Sequence, residues 1–158
     1  MTGAPLRSKG VEDTRAAAAV IASLARRGDL ILLVGELGVG KTAFAQGFAR
    51  QIGVTSPVTS PTFTLVHRYS GDVVLNHVDV YRLDRLSEVT DLGLSEMLDE
   101  GITLIEWGDA VIPALPADFL EVRISYVEDE EDARDIALSV VGPSWAGRVG
   151  AISAALER

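Results

Sequence analysis

The stretch from Leu30 to Thr42 reads LILLVGELGVGKT, and no other part of the chain restricts the fold as tightly. LILLV is a short, unbroken apolar run, the pattern of a strand buried on both faces. It runs into Gly35, Gly40, Lys41 and Thr42 at the spacing GxxxxGKT, after which Phe44, Ala45, Phe48, Ala49 and Ile52 recur at helical intervals until Gly53. A strand, a glycine loop and a helix in that order make a phosphate cradle. Glycines let backbone N–H groups turn toward anionic oxygens with no Cβ in the way, and the helix N-terminus adds a positive dipole. Lys41 then reaches the β- and γ-phosphates, and the Thr42 hydroxyl is placed to ligate Mg²⁺. Glu36, Leu37, Gly38 and Val39 complete the expected nucleotide-binding loop, with Ala43 in the first helical turn. The bland alternative is a glycine-rich turn before a helix.

The remaining segments supply the layers such a strand needs. Ala17, Val20, Ile21 and Leu24 mark one face of an amphipathic helix, with Arg26, Arg27 and Gly28 as its expected end. Its alanine-rich part has the length of a signal-peptide core, yet Glu12 and Asp13 stand where positive charge is required. From Thr62 to Asp79, β-branched and aromatic residues flank Ser70, Gly71 and Asp72, which predicts a hairpin. The apolar run Ile102 to Ile105 ends at Glu106. Two more strands are expected at Leu120 to Tyr126 and Ile136 to Val141, separated by an acidic turn from Glu128 to Asp132, and a last helix at Trp145 to Leu156. The reading is one α/β domain over residues 1–158, with a core at 11–142 and a tail at 143–158. Its architecture is a P-loop NTPase-like mixed β-sheet flanked by helices, with an antiparallel hairpin.

Composition narrows the function. Fourteen basic residues against twenty-three acidic ones leave a net charge of −9, a field that repels a phosphate backbone and disfavours unaided nucleic-acid binding. The absence of cysteine excludes disulfides, thiolate metal sites and cysteine nucleophiles, and fits a reducing cytoplasm. No apolar run reaches the length of a membrane span, so a cytoplasmic protein without membrane contact is expected.

A phosphate loop works with oxygen ligands from neighbouring strands, and Asp79 and Glu106 stand at strand ends where these are expected. Glu106, closing ITLI, has the sequence form of the metal ligand. Asp79 follows a more polar strand and is left to orient water. For either one, a surface carboxylate is the alternative. His77 shares a strand face with Asp79 and is read as a satisfied structural histidine.

GELGVGKT, then SPTFTLVHRY from Ser60, HVDVYRL from His77 and IEWGD from Ile105 resemble, in order, the TsaE family, also called YjeE. These are small bacterial P-loop ATPases of tRNA threonylcarbamoyladenosine synthesis. The resemblance covers residues 11 to 142. It implies that Thr42 and Glu106 hold Mg²⁺, that Lys41, Asp79 and Glu106 form the catalytic set, and that Ser60, Pro61, Thr62 and Thr64 belong to a switch-like loop near the γ-phosphate. It also implies nucleotide contacts from Glu12, Thr14 and Arg134, the last as a late arginine before the final strand. Partners similar to TsaB and TsaD follow from it, with tRNA met only through that complex and ATP hydrolysis supporting its repeated turnover. Tyr81 and Trp107, in HVDVYRL and IEWGD, are the expected partner contacts, since Tyr and Trp are enriched as interface anchors. Core placement stays open for Trp107.

Rival activities carry weaker signals. A small-molecule kinase, the main alternative, usually closes an arginine-bearing lid, and no Arg-rich segment is visible here. A GTPase would carry NKxD, where this chain has Asn76 to Asp79 as NHVD. A non-catalytic binding module would not need Lys41, Thr42, Asp79 and Glu106 together. Arg82 and Arg85 are expected on a surface helix or loop, which leaves no internal arginine finger and predicts slow hydrolysis by the isolated protein.

Overall fold

The computed structural model describes residues 5–36, 38–60, 66–80, 93–106 and 115–156. Among them the strands are β1 (Leu6–Ser8), β2 (Leu30–Val34), β3 (Val66–Tyr69), β4 (Val74–Asp79), β5 (Gly101–Glu106), β6 (Phe119–Val127) and β7 (Glu130–Val141). The helices are α1 (Val11–Leu24), α2 (Lys41–Gln51), α3 (Leu94–Glu100) and α4 (Val149–Leu156). The sheet order is β1-β7-β6-β2-β5-β4-β3. Its centre, β6-β2-β5-β4, is parallel, while β3 and β7 pair antiparallel with β4 and β6, and β1 pairs antiparallel with β7. This is the mixed α/β sheet the sequence predicts.

Alternation along the central strands divides the core. Ile31 and Leu33 of β2, Leu75 of β4, and Ile102 and Leu104 of β5 pack with Ala18 and Ile21 of α1 and with Phe44 and Phe48 of α2. Leu30, Leu32, Val78 and Ile105 form a smaller cluster with Met97 of α3. Every residue of β2 is buried, as both-face coverage demands. α3 is fixed from below by Asn76, whose amide donates to Glu100 Oε1 at 3.0 Å. That bond, with Arg68 as a second donor, holds the Glu100 carboxyl below its ordinary range.

Several local expectations shift. α1 stops at Leu24 with an extended Ala25 as its cap, so Arg26 and Arg27 lie beyond the last turn. Asp29 is the reason: its Oδ2 accepts the Arg26 N–H at 2.6 Å and turns the chain toward β2. The acidic turn shrinks to Glu128 and Asp129, because Glu130 to Asp132 extend β7. Arg134 consequently lies within the last strand rather than before it. The final helix begins at Val149, and Trp145 precedes it in a turn.

That turn is a clamp. Trp145 is completely buried, and the Arg148 guanidinium stacks 3.9 Å from its ring centroid. Arg148 reaches Asp29 with two bonds of 2.7 and 2.9 Å and the Leu24 carbonyl with a third at 2.7 Å. A bidentate, desolvated pair so engaged ties the tail to the start of β2. Arg148→Ala leaves Asp29 buried without its cation, so we expect it to cost about 3 kcal/mol. Thermal unfolding should then shift down by roughly 6–12 °C for a chain of this size. An unchanged melting temperature would show that the tail is only loosely attached.

Candidate functional site

Because β2, β5 and β4 run parallel, their C-terminal ends reach one edge of the sheet, where ligands bind in folds of this kind. Register fixes which residues meet there. Leu33 lies opposite Glu106, and Glu106 opposite Asp79, so the loop after Val34 begins beside both carboxylates. Side chains opposite one another share a face, here that of α1 and α2.

Gly35 leaves β2 where no side chain fits: a Cβ would meet the Ile124 carbonyl oxygen at 2.5 Å and Val39 Cγ1 at 2.7 Å. Gly40, with φ of 124°, makes the turn into α2 that L side chains rarely adopt. Lys41, the first residue of α2, is largely buried, and its Nζ donates to the carbonyls of Gly35 at 2.7 Å and Glu36 at 2.9 Å. The ammonium therefore closes the loop on itself. Thr42 follows in the first helical turn.

Glu106 is 2% exposed, and Ser60 Oγ donates to its Oε2 at 3.4 Å. Ser60 is held in place by the segment before it: Gln46 of α2 donates to the Val58 carbonyl at 3.2 Å, and the Thr59 N–H donates to the Tyr69 hydroxyl at 3.3 Å. His77 corrects its expected role. It is fully buried beside Glu106, but among the described residues neither ring nitrogen has a hydrogen-bond partner.

Arg134 comes to the loop from the far side. Its Nε donates to the Val39 carbonyl at 2.9 Å, and its guanidinium lies 4.6 Å from the Tyr126 ring centroid. Tyr126, which the sequence reading missed, brings its hydroxyl toward Gly38. Thr14 is 2% exposed, with its hydroxyl 2.8 Å from that of Ser8. Glu12 is exposed and pairs with Arg15. Leu37, Pro61, Thr62, Thr64, Tyr81, Arg82, Arg85 and Trp107 lie outside the described residues.

Oxygen donors from Thr42 and Glu106 suit a hard dication. Among the described residues no three His, Cys, Asp or Glu gather as a cage, so phosphate and water would supply most of such a shell, as they usually do for Mg²⁺.

A family model described as "Threonylcarbamoyl adenosine biosynthesis protein TsaE" matches residues 8–136. The chain is similar to the tRNA threonylcarbamoyladenosine biosynthesis protein TsaE of Bacillus subtilis, with 41% identity over 138 residues, 86% of this chain and 85% of that protein. The protein of that name from Streptomyces coelicolor is 39% identical over 132 residues, 80% of this chain and 89% of that one. The crystal structure of Bacillus subtilis YdiB matches at a TM-score of 0.79 and 34% identity, covering 100% of this chain and 97% of that one.

The loop's tight exit from β2 gives a direct test. Gly35→Ala should cost about 1–3 kcal/mol in urea unfolding, the range for an atom forced into a packed site. Gly147→Ala, where a Cβ meets nothing within 4 Å, is the control. Equal midpoints for the two variants would mean that the exit has room to spare.

Proposed function

Since the chain belongs to the TsaE family, described by its part in threonylcarbamoyl adenosine biosynthesis, we propose that it is a Mg²⁺-dependent ATPase. It supports threonylcarbamoylation of the adenosine beside the anticodon of tRNA, in the cytoplasm, together with TsaB- and TsaD-like proteins. Among the described residues no helix is long and apolar enough to cross a membrane. The observation that carries the reading is the Lys41 ammonium in the mouth of the loop, on the edge where Asp79 and Glu106 also end.

Lys41 Nζ exchanges the Gly35 and Glu36 carbonyls for β- and γ-phosphate oxygens, trading neutral acceptors for anionic ones. Loop N–H groups and the start of α2 hold the phosphate chain, with Arg134 bracing the loop through Val39. Thr42 and Glu106 would hold Mg²⁺, which when bound would offset the charge of the phosphate chain. Asp79 orients the attacking water, and Ser60 brings its segment to the reacting edge.

ATP is preferred over GTP. The NHVD segment resembling a guanine-reading motif lies in β4, where Asn76 is spent on the Met97 carbonyl and Glu100. The negative charge leaves tRNA to the partners.

Lys41→Ala should weaken ATP binding on the order of 100-fold in isothermal titration, the worth of about two charge-assisted bonds. Unchanged affinity would show that the loop is no phosphate site. Asp79→Asn should keep ATP affinity while lowering kcat by about 10²–10⁴-fold, the usual yield of a group that handles the attacking proton. Hydrolysis by the isolated protein should be slow and should rise when a TsaB–TsaD complex is added. A rate already equal to that of the mixture would remove the partner from the mechanism.

A further inference from the structure

His77 occupies a position where, on packing alone, leucine would serve better. It alternates with Leu75 along β4 and faces the apolar cluster of α1 and α2, with Leu104 opposite it on β5. Its exposure is 0%, and among the described residues neither Nδ1 nor Nε2 has a hydrogen-bond partner. A buried polar atom left in that state is destabilising, so packing does not account for an imidazole here. Among the described residues, Glu106 Oε2 lies 3.7 Å from Nε2, and His67 of β3 stands opposite His77 on its other side. The separation from Glu106 is too long for a hydrogen bond and short enough for a small rotation of the carboxylate to make one.

Two donors thus converge on the same oxygen. Ser60 Oγ contacts Oε2 at 3.4 Å from a loop, and His77 Nε2 faces it from a central strand. The first donor belongs to a loop and the second to a strand at the centre of the sheet. We propose that His77 is a positioning residue: a small rotation of the carboxylate brings Oε2 onto its Nε2–H, which holds Glu106 with Oε1 presented to Mg²⁺. The inference rests on the reading of Glu106 as a metal ligand. Partners behind a ligating carboxylate or imidazole commonly change metal affinity by about 10- to 100-fold when removed.

The test titrates Mg²⁺ into the whole chain with ADP present and reads apparent Mg²⁺ affinity by calorimetry, with ADP binding in EDTA measured beside it. His77→Leu should lower the apparent Mg²⁺ affinity about tenfold or more and leave metal-free ADP binding within about twofold. His77→Gln, whose amide nitrogen reaches close to the Nε2 position, should recover most of the loss, and His77→Asn, one methylene shorter, should not. Should His77→Leu fail to fold, the contrast between Gln and Asn decides the matter. Equal Mg²⁺ affinity in those two variants, or a Leu variant with wild-type Mg²⁺ affinity, overturns the role of His77 alone. A wild-type protein whose ADP binding ignores Mg²⁺ overturns the metal reading of Glu106, and this proposal with it.

Discussion

The parallel pairing of β2, β5 and β4 is the constraint from which the site follows. Parallel strands need crossover connections, and those connections put helices on the faces of the sheet and the strand ends on one edge. With Leu33 opposite Glu106 and Glu106 opposite Asp79, the glycine loop and two carboxylates become neighbours although 69 residues of chain lie between Glu36 and Glu106. A slip of one residue in β4 or β5 would send its carboxylate to the α3 face. The apolar alternation of Leu75 with Ile102 and Leu104 forbids that slip, since it would also turn those side chains away from α1 and α2.

The site is held by its own groups. Lys41 rests on the Gly35 and Glu36 carbonyls, and Ser60 leans on Glu106. Both contacts satisfy partly buried polar atoms at modest strength. The segment before Ser60 is tied to α2 through Gln46 and to β3 through Tyr69.

Far from that edge, the chain after Pro143 closes the opposite end of the core. Asp29 serves twice there, ending α1 through the Arg26 N–H and receiving the Arg148 guanidinium. A buried pair of this kind adds little as a pair but makes loss of either member expensive, so it specifies where the tail goes more than it strengthens the fold.

The sequence by itself determined the glycine loop, its strand and helix, the hairpin and the central strands, because each has a local signature in glycine spacing, apolar runs or turn residues. It did not reveal β1, three residues long and defined only by pairing with β7, nor α3, seven residues whose anchor is Asn76 on another strand. The site divides in the same way. The place of Lys41 and Thr42 at the start of α2 was legible from spacing, since it depends on neighbours a few bonds away. Tyr126 beneath Arg134, the tether from Gln46 and Tyr69 to Ser60, and the buried ring of His77 beside Glu106 were decided by tertiary structure alone. Their partners are distant in the chain. Whether a buried polar atom is satisfied depends on what packing brings within about 3 Å of it, and no periodicity in the sequence encodes that.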